Sequence, residues 1–207
     1  LLVLSVIIVS IIYTILKPNR LLPVFQPAEV NAEMVDSTLQ HVKKYHTVAD
    51  FSLINQNGKT ITQADYNDKI YVADFFFTTC QTICPIMTNN MLTIQEELKN
   101  DPTILLLSHT VTPEIDSVAQ LKKYALAKGV IDAKWNLVTG DKKQIYILAR
   151  KSYLAAKDNP YDAFDLIHTE NFVLVDTKKR IRGFYDGTDP EAIKKLLEDI
   201  ETLKLEE

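Results

Sequence analysis

The sequence predicts an α/β fold in which a central mixed sheet is flanked by helices, and three observations carry that prediction. From His46 onward, short runs rich in β-branched and aromatic residues alternate with segments of helical spacing. One run, Ile70 to Phe77 (IYVADFFF), is nearly continuous in apolar residues, as a strand buried on both faces should be. Two later runs, Phe172 to Val175 and Ile181 to Tyr185, are close enough in sequence to close as a hairpin, which makes the sheet mixed.

The elements follow in order. Phe51 to Ile54 reads as a strand, Asn57-Gly58 as a hairpin turn and Lys59 to Thr62 as the return strand. After the Ile70 to Phe77 strand, a helix is expected from Pro85 to Leu98. Thr103 to Leu107 (TILLL) is a second buried strand, and Pro113 to Lys128 a second helix closed by Gly129. Asp141 can cap a third helix over Lys142 to Leu154. The last helix has a strong start signal, with Asp189 as N-cap, Pro190 at the first helical position and Glu191 in the first turn. Apolar residues at 193, 196, 197 and 200 then keep helical spacing. A thioredoxin-like fold fits this order.

Upstream of this domain the character changes. Leu1 to Leu16 (LLVLSVIIVSIIYTIL) carries no charge, and no small-residue cleavage site follows it. It is somewhat shorter than the roughly 20 apolar residues a full span needs, so its start is expected to lie upstream of Leu1. Residues 1–17 are therefore read as one N-terminal transmembrane helix, an uncleaved anchor. Residues 18–45, broken by Pro18, Pro23 and Pro27, form a linker with a short helix over 28–45, and residues 46–207 form the domain. Lys17 and Arg20, taken alone, would place that domain in the cytoplasm.

Composition excludes several classes. Hydrophobic residues make up 46% and charged residues 24% of the 207, a globular profile. A net charge of -4, with no long run of Lys and Arg, argues against nucleic acid as a partner. The two cysteines are too few for a disulfide-rich scaffold, and they stand four positions apart, which points to chemistry.

Cys80 and Cys84 follow a buried strand and precede a helix, in FFFTTCQTICPIM. Pro85 suits the first helical position and places Cys84 near the N-cap, so exposed amides should make both thiols more acidic than the ordinary value of about 8.5. Three intervening residues widen the loop relative to C-x-x-C. Two sulfurs each about 2.3 Å from one metal can stand ~4.6 Å apart, whereas a disulfide needs about 2.05 Å. The wider loop relaxes toward chelation without forbidding a disulfide. Two thiolates suit Cu(I), and an added imidazole also suits Cu(II) or zinc. Among the histidines, His41 and His46 precede the core and read as surface residues. His109 ends the TILLLSH strand and could reach the sheet edge where the cysteines emerge. His168 lies in the loop before the FVLVD strand, which in a thioredoxin-like fold faces the cysteine loop. It is the candidate third ligand, with an ordinary surface histidine as the alternative.

Five separated segments, VADFSLINQNGKTIT, YVADFFFTTCQTICPIM, SHTVTPEIDSVAQLKKYA, WNLVTG and HTENFVLVDTKKRIRGFYDG, together resemble the Sco/SenC family of copper proteins from about His46 to Leu203. The resemblance implies copper, as Cu(I) or Cu(II), held by Cys80, Cys84 and His168. It also implies an extracytoplasmic domain, periplasmic or in the intermembrane space, against the hint from Lys17 and Arg20. The implied role is assembly of the dinuclear copper site of cytochrome c oxidase, as a metallochaperone or as a thiol–disulfide reductase acting through the Cys80/Cys84 dithiol. The implied partners are the copper-bearing oxidase subunit and either another copper chaperone or a thioredoxin-like reductant. Two departures stand out. Gln81 replaces a Pro common after the first cysteine, and Thr112 stands where the family tends to carry Asp, which puts any role of that carboxylate in doubt.

Overall fold

A computed structural model describes residues 21–156 and 169–207. Seven strands form one sheet in the order β2-β1-β5-β4-β3-β6-β7. They are β1 (Ser52–Asn55), β2 (Thr60–Thr62), β3 (Ile70–Phe76), β4 (Ile104–Thr110), β5 (Trp135–Thr139), β6 (Asn171–Val175) and β7 (Ile181–Asp186). The central β3, β4 and β5 are parallel, while β1 and β6 join them antiparallel, so the sheet is mixed as expected. Among the described residues, four α-helices flank the sheet: α1 (Cys84–Leu98), α2 (Val118–Lys128), α3 (Lys142–Ile147) and α4 (Pro190–Lys204).

Alternation along β3 builds two cores. Tyr71, Ala73 and Phe75 point to one face, where Ile145, Leu148 and Ala149 of the α3 region and Val35 and Val48 of the upstream segment cover them. Ile70, Val72 and Phe76 point to the other face, under Met87, Met91 and Ile94 of α1 and Leu196 and Ile200 of α4. Every residue of β3 is buried, which is why its sequence shows no polar alternation.

Several boundaries differ from expectation. β5 adds a strand to those expected, because WNLVT is short and only its register with β4 and β1 defines it as one. α2 starts at Val118, five residues after Pro113, because Ser117 is the true cap, accepting from the Gln120 amide. Its end agrees with expectation: Gly129, at φ +80°, closes it in the left-handed region. α3 starts at the Asp141 cap but turns into a π-helical segment at Leu148–Ser152. The expected short helix over 28–45 is instead two single 3-10 turns, Pro27–Glu29 and Ala32–Met34. This upstream stretch packs on the domain: Leu22 is buried, and the Phe25 amide donates to the Ile181 carbonyl at 2.9 Å. Residues 1–17, read as an anchor, lie outside the described residues. Among the described residues, no helix is long and apolar enough to cross a membrane.

Candidate metal centre

The C-terminal end of β3 runs into a tight loop, where the Cys80 amide donates to the Phe77 carbonyl at 3.3 Å. Cys84 is the first residue of α1, with Pro85 second and Ile83 before them, so Cys84 sits one position deeper than expected. No side chain caps the helix conventionally. Instead the Cys84 amide donates to Cys80 Sγ at 3.4 Å, so the sulfur takes the place of a capping oxygen. Thr82 Oγ1 lies 3.6 Å from the same sulfur.

The two thiols are driven apart in acidity. Burial pushes Cys80 up, but hydrogen bonds from the Cys84 thiol and amide and from Thr82 outweigh it and bring Cys80 down to about 7. Burial pushes Cys84 up to about 12, helped by its hydrogen bond to Cys80 and by the negative charges of Cys80 and Asp74. The expectation that both sulfurs would be acidic therefore holds for Cys80 only. Only one sulfur is well placed to receive the donors at the helix start; the other is enclosed beneath it, where Cys84 is 4% exposed.

The loop is held from outside by a residue that sequence reasoning passed over. Asp116, fully buried, accepts the Thr78 amide at 3.1 Å and the Thr78 hydroxyl at 2.5 Å, as well as the hydroxyls of Thr110 and Thr112. Thr78 is two residues before Cys80, so this carboxylate positions the cysteine loop against β4. A buried carboxylate is thus present although Thr112 replaces the expected Asp. The available signal was three threonines, 78, 110 and 112, with one aspartate four residues beyond the last.

Beneath Cys84, on the same face of β3, Asp74 is buried and accepts from the Ser108 hydroxyl, which in turn accepts from the Trp135 indole at 2.8 Å. Burial raises the Asp74 carboxyl to about 7.

Of the histidines, His109 is brought to the wrong side to join the thiols. It pairs with Phe75 across β3 and β4, stacks on that ring at 4.9 Å, and faces the core away from α1. Its Nδ1 lies 3.3 Å from the Asp74 carbonyl, and burial holds it neutral, down to about 4. His46 Nε2 meets the Ser152 carbonyl at 2.8 Å, and His41 is exposed on the upstream segment. His168 lies outside the described residues. Among the described residues no group of three His, Cys, Asp or Glu is gathered that could hold a metal ion. The described donor set is the soft pair Cys80 and Cys84, which fits a thiophilic ion such as copper.

The SCO1/SenC family model matches residues 39–204, which span both cysteines, the sheet and α4. The chain belongs to the SCO1/SenC family. A SCO1 protein homolog of Bacillus subtilis is 31% identical over 159 residues, covering 76% of this chain and 82% of that protein. The solved structure of BsSco, described as a member of the Sco family of cytochrome c oxidase assembly proteins with a disulfide switch, is 30% identical. It has a TM-score of 0.65, with 76% of this chain and 93% of that one covered. Yeast Sco1 with copper bound shares the fold at a TM-score of 0.60, with 21% identity over 76% of this chain and 90% of that one. The thioredoxin-like fold is thus common to the family, and Cys80 and Cys84 fall within its matched span.

Proposed function

We propose that this chain is a copper-binding assembly factor for the dinuclear copper site of cytochrome c oxidase, with copper as cargo held by Cys80, Cys84 and His168. The observation that carries the reading is the paired placement of the two sulfurs on one helical start, with Cys80 already poised as a thiolate near neutral pH. Family membership and the oxidase-assembly description of BsSco support it, as does copper in yeast Sco1. Residues 1–17 anchor the chain in the membrane, with the domain on the extracytoplasmic side.

Copper titration of the full chain tests this. One copper ion per chain is expected, with His168→Ala weakening Cu(II) binding strongly and Cys80→Ser abolishing it. Full affinity in a Cys80→Ser/Cys84→Ser chain would sink the proposal.

A second reading rests on the split in thiol acidity. A half-buried acidic thiol beside a buried reluctant one suits a disulfide reductase. The Cys80 thiolate would attack a substrate disulfide and release one substrate thiolate. Cys84, losing its proton, would then attack Cys80 Sγ and release the second, leaving the Cys80–Cys84 disulfide and a substrate reduced by two electrons. Turnover of a protein disulfide by copper-free protein, indifferent to His168→Ala, would favour it.

A further inference from the structure

At the pole of the sheet away from the cysteines the surface reverses the sign of the molecule. An open cavity of about 500 Å³ lies between the upstream segment and the β6–β7 turn. Lys43, Lys44, Lys178 and Arg180 line it, with His46, and among the described residues Glu29 is the one carboxylate on its wall. Arg180 is committed to Asp176 at 2.7 Å and stands 3.7 Å from Glu207. The neighbouring Lys179 is paired with Asp50 at 2.8 Å. Lys43, Lys44 and Lys178 have no carboxylate within ion-pair distance among the described residues. Three ammonium groups around one cavity without a carboxylate partner among the described residues, in a chain of net charge -4, are a local excess that suits an anion.

The position of the cavity says which anion. Its wall includes Val24 and Gln26, and Leu22 is pinned just before them, with its amide on Glu206 and its carbonyl on Arg182. The uncharged segment ends at Leu16, and the eight residues from there to Val24 span at most about 28 Å. Any bilayer holding that segment therefore lies within reach of the cavity. Tyr45 stands at the rim, 93% exposed and in the left-handed region at φ 67°, where a non-glycine residue is strained. An aromatic ring with a polar tip, displayed this way beside lysines, suits the headgroup layer.

We propose that this basic cavity docks the domain on anionic phospholipid headgroups. The inference rests on the membrane anchor proposed above. It fixes the orientation of the domain: Tyr71 at the start of β3 pairs with Val175 beside the basic turn, whereas Cys80 follows the end of β3. The strand between them is about 20 Å long. A headgroup-bound domain therefore presents its dithiol away from the bilayer, toward the copper site of a partner that projects from the membrane. The tether makes this contact intramolecular, so modest affinity suffices.

The full chain, mixed into vesicles of phosphatidylcholine alone or with phosphatidylglycerol, can be footprinted by lysine acylation and mass spectrometry. Acylation of Lys43, Lys44 and Lys178, relative to Lys123 on α2, is expected to fall several-fold only with phosphatidylglycerol and to recover in high salt. Each Lys→Glu change at these three positions should weaken vesicle protection by roughly fivefold or more while leaving the copper titre intact. Equal acylation in both vesicle types overturns the proposal. So does equal protection by inorganic phosphate or polyglutamate without vesicles, which would assign the cavity to a soluble anion or an acidic protein. An alkaline carbonate wash, applied after footprinting, reads the anchor separately: a chain stripped by carbonate refutes the anchor, while the lysine pattern still tests headgroup docking independently.

Discussion

At Cys80, among the described residues, the fold favours a thiolate through hydrogen bonds rather than through a paired cation. Its stabilisers are the amide at the start of α1, the Cys84 thiol and Thr82, all short-range donors. Iodoacetamide should therefore alkylate Cys80 with a pH midpoint near 7 and leave Cys84, at about 12, unmodified until the chain unfolds. Peptide mass analysis across a pH series checks this, and a midpoint near an ordinary thiol's about 8.5 would contradict it. Asp116 acts one step behind, by holding the loop. Asp116→Ala leaves the Thr78 amide and three hydroxyls without their acceptor. We expect a loss of about 3 kcal/mol in urea unfolding, together with an upward drift of the Cys80 midpoint as the loop loosens.

Among the elements, the helix starts show two different ways of satisfying free amides. α4 begins in the ordinary way, with Asp189 accepting from the Glu191 amide at 3.0 Å and Pro190 in the first turn. Asp189→Ala should cost about 1 kcal/mol, read by denaturant midpoint, with no change in Cys80 reactivity. α1 has Cys80 Sγ where such an oxygen would be, which couples helix stability to the state of the sulfur. The α4 start was legible because Asp-Pro-Glu carries its own signal. The α1 start was legible to within one residue from Cys-Pro, but its cap was not, since the acceptor lies four residues back in a loop. β5 is not legible locally, because WNLVT acquires strand character only by lying between β1 and β4.

Over the whole molecule, two buried titrating groups face opposite cores of one sheet and oppose each other in pH dependence. His109 falls to about 4 in the folded chain from 6.5, so an unfolded chain holds a proton that the folded one lacks between those values. Its contribution to stability is present above 6.5 and is lost as pH falls toward 4. Asp74 rises to about 7 from 3.8, so the folded chain holds the extra proton. Its contribution is present below 3.8 and is lost as pH rises through 7. Between pH 4 and 6.5 the two slopes nearly cancel. Asp74→Asn should unmask a rise of up to about 1.4 kcal/mol per pH unit, and His109→Phe a comparable fall. Urea unfolding of both variants across that range tests the pair; flat profiles in both would disprove it.

The sequence by itself determined the mixed α/β architecture, the doubly buried β3, the caps at Asp141 and Asp189 and the juxtaposition of Cys80 and Cys84. Each follows from local patterning or from residues within one turn of each other. Only the tertiary structure decided which thiol is acidic, because that depends on which sulfur lies over the helix amides and which beneath them. It alone turned His109 away from the thiols, since a strand's register, not its composition, sets the face of each side chain. It alone brought Asp116 onto the cysteine loop and gathered Lys43, Lys44 and Lys178 at the opposite pole, contacts that join residues far apart in the chain.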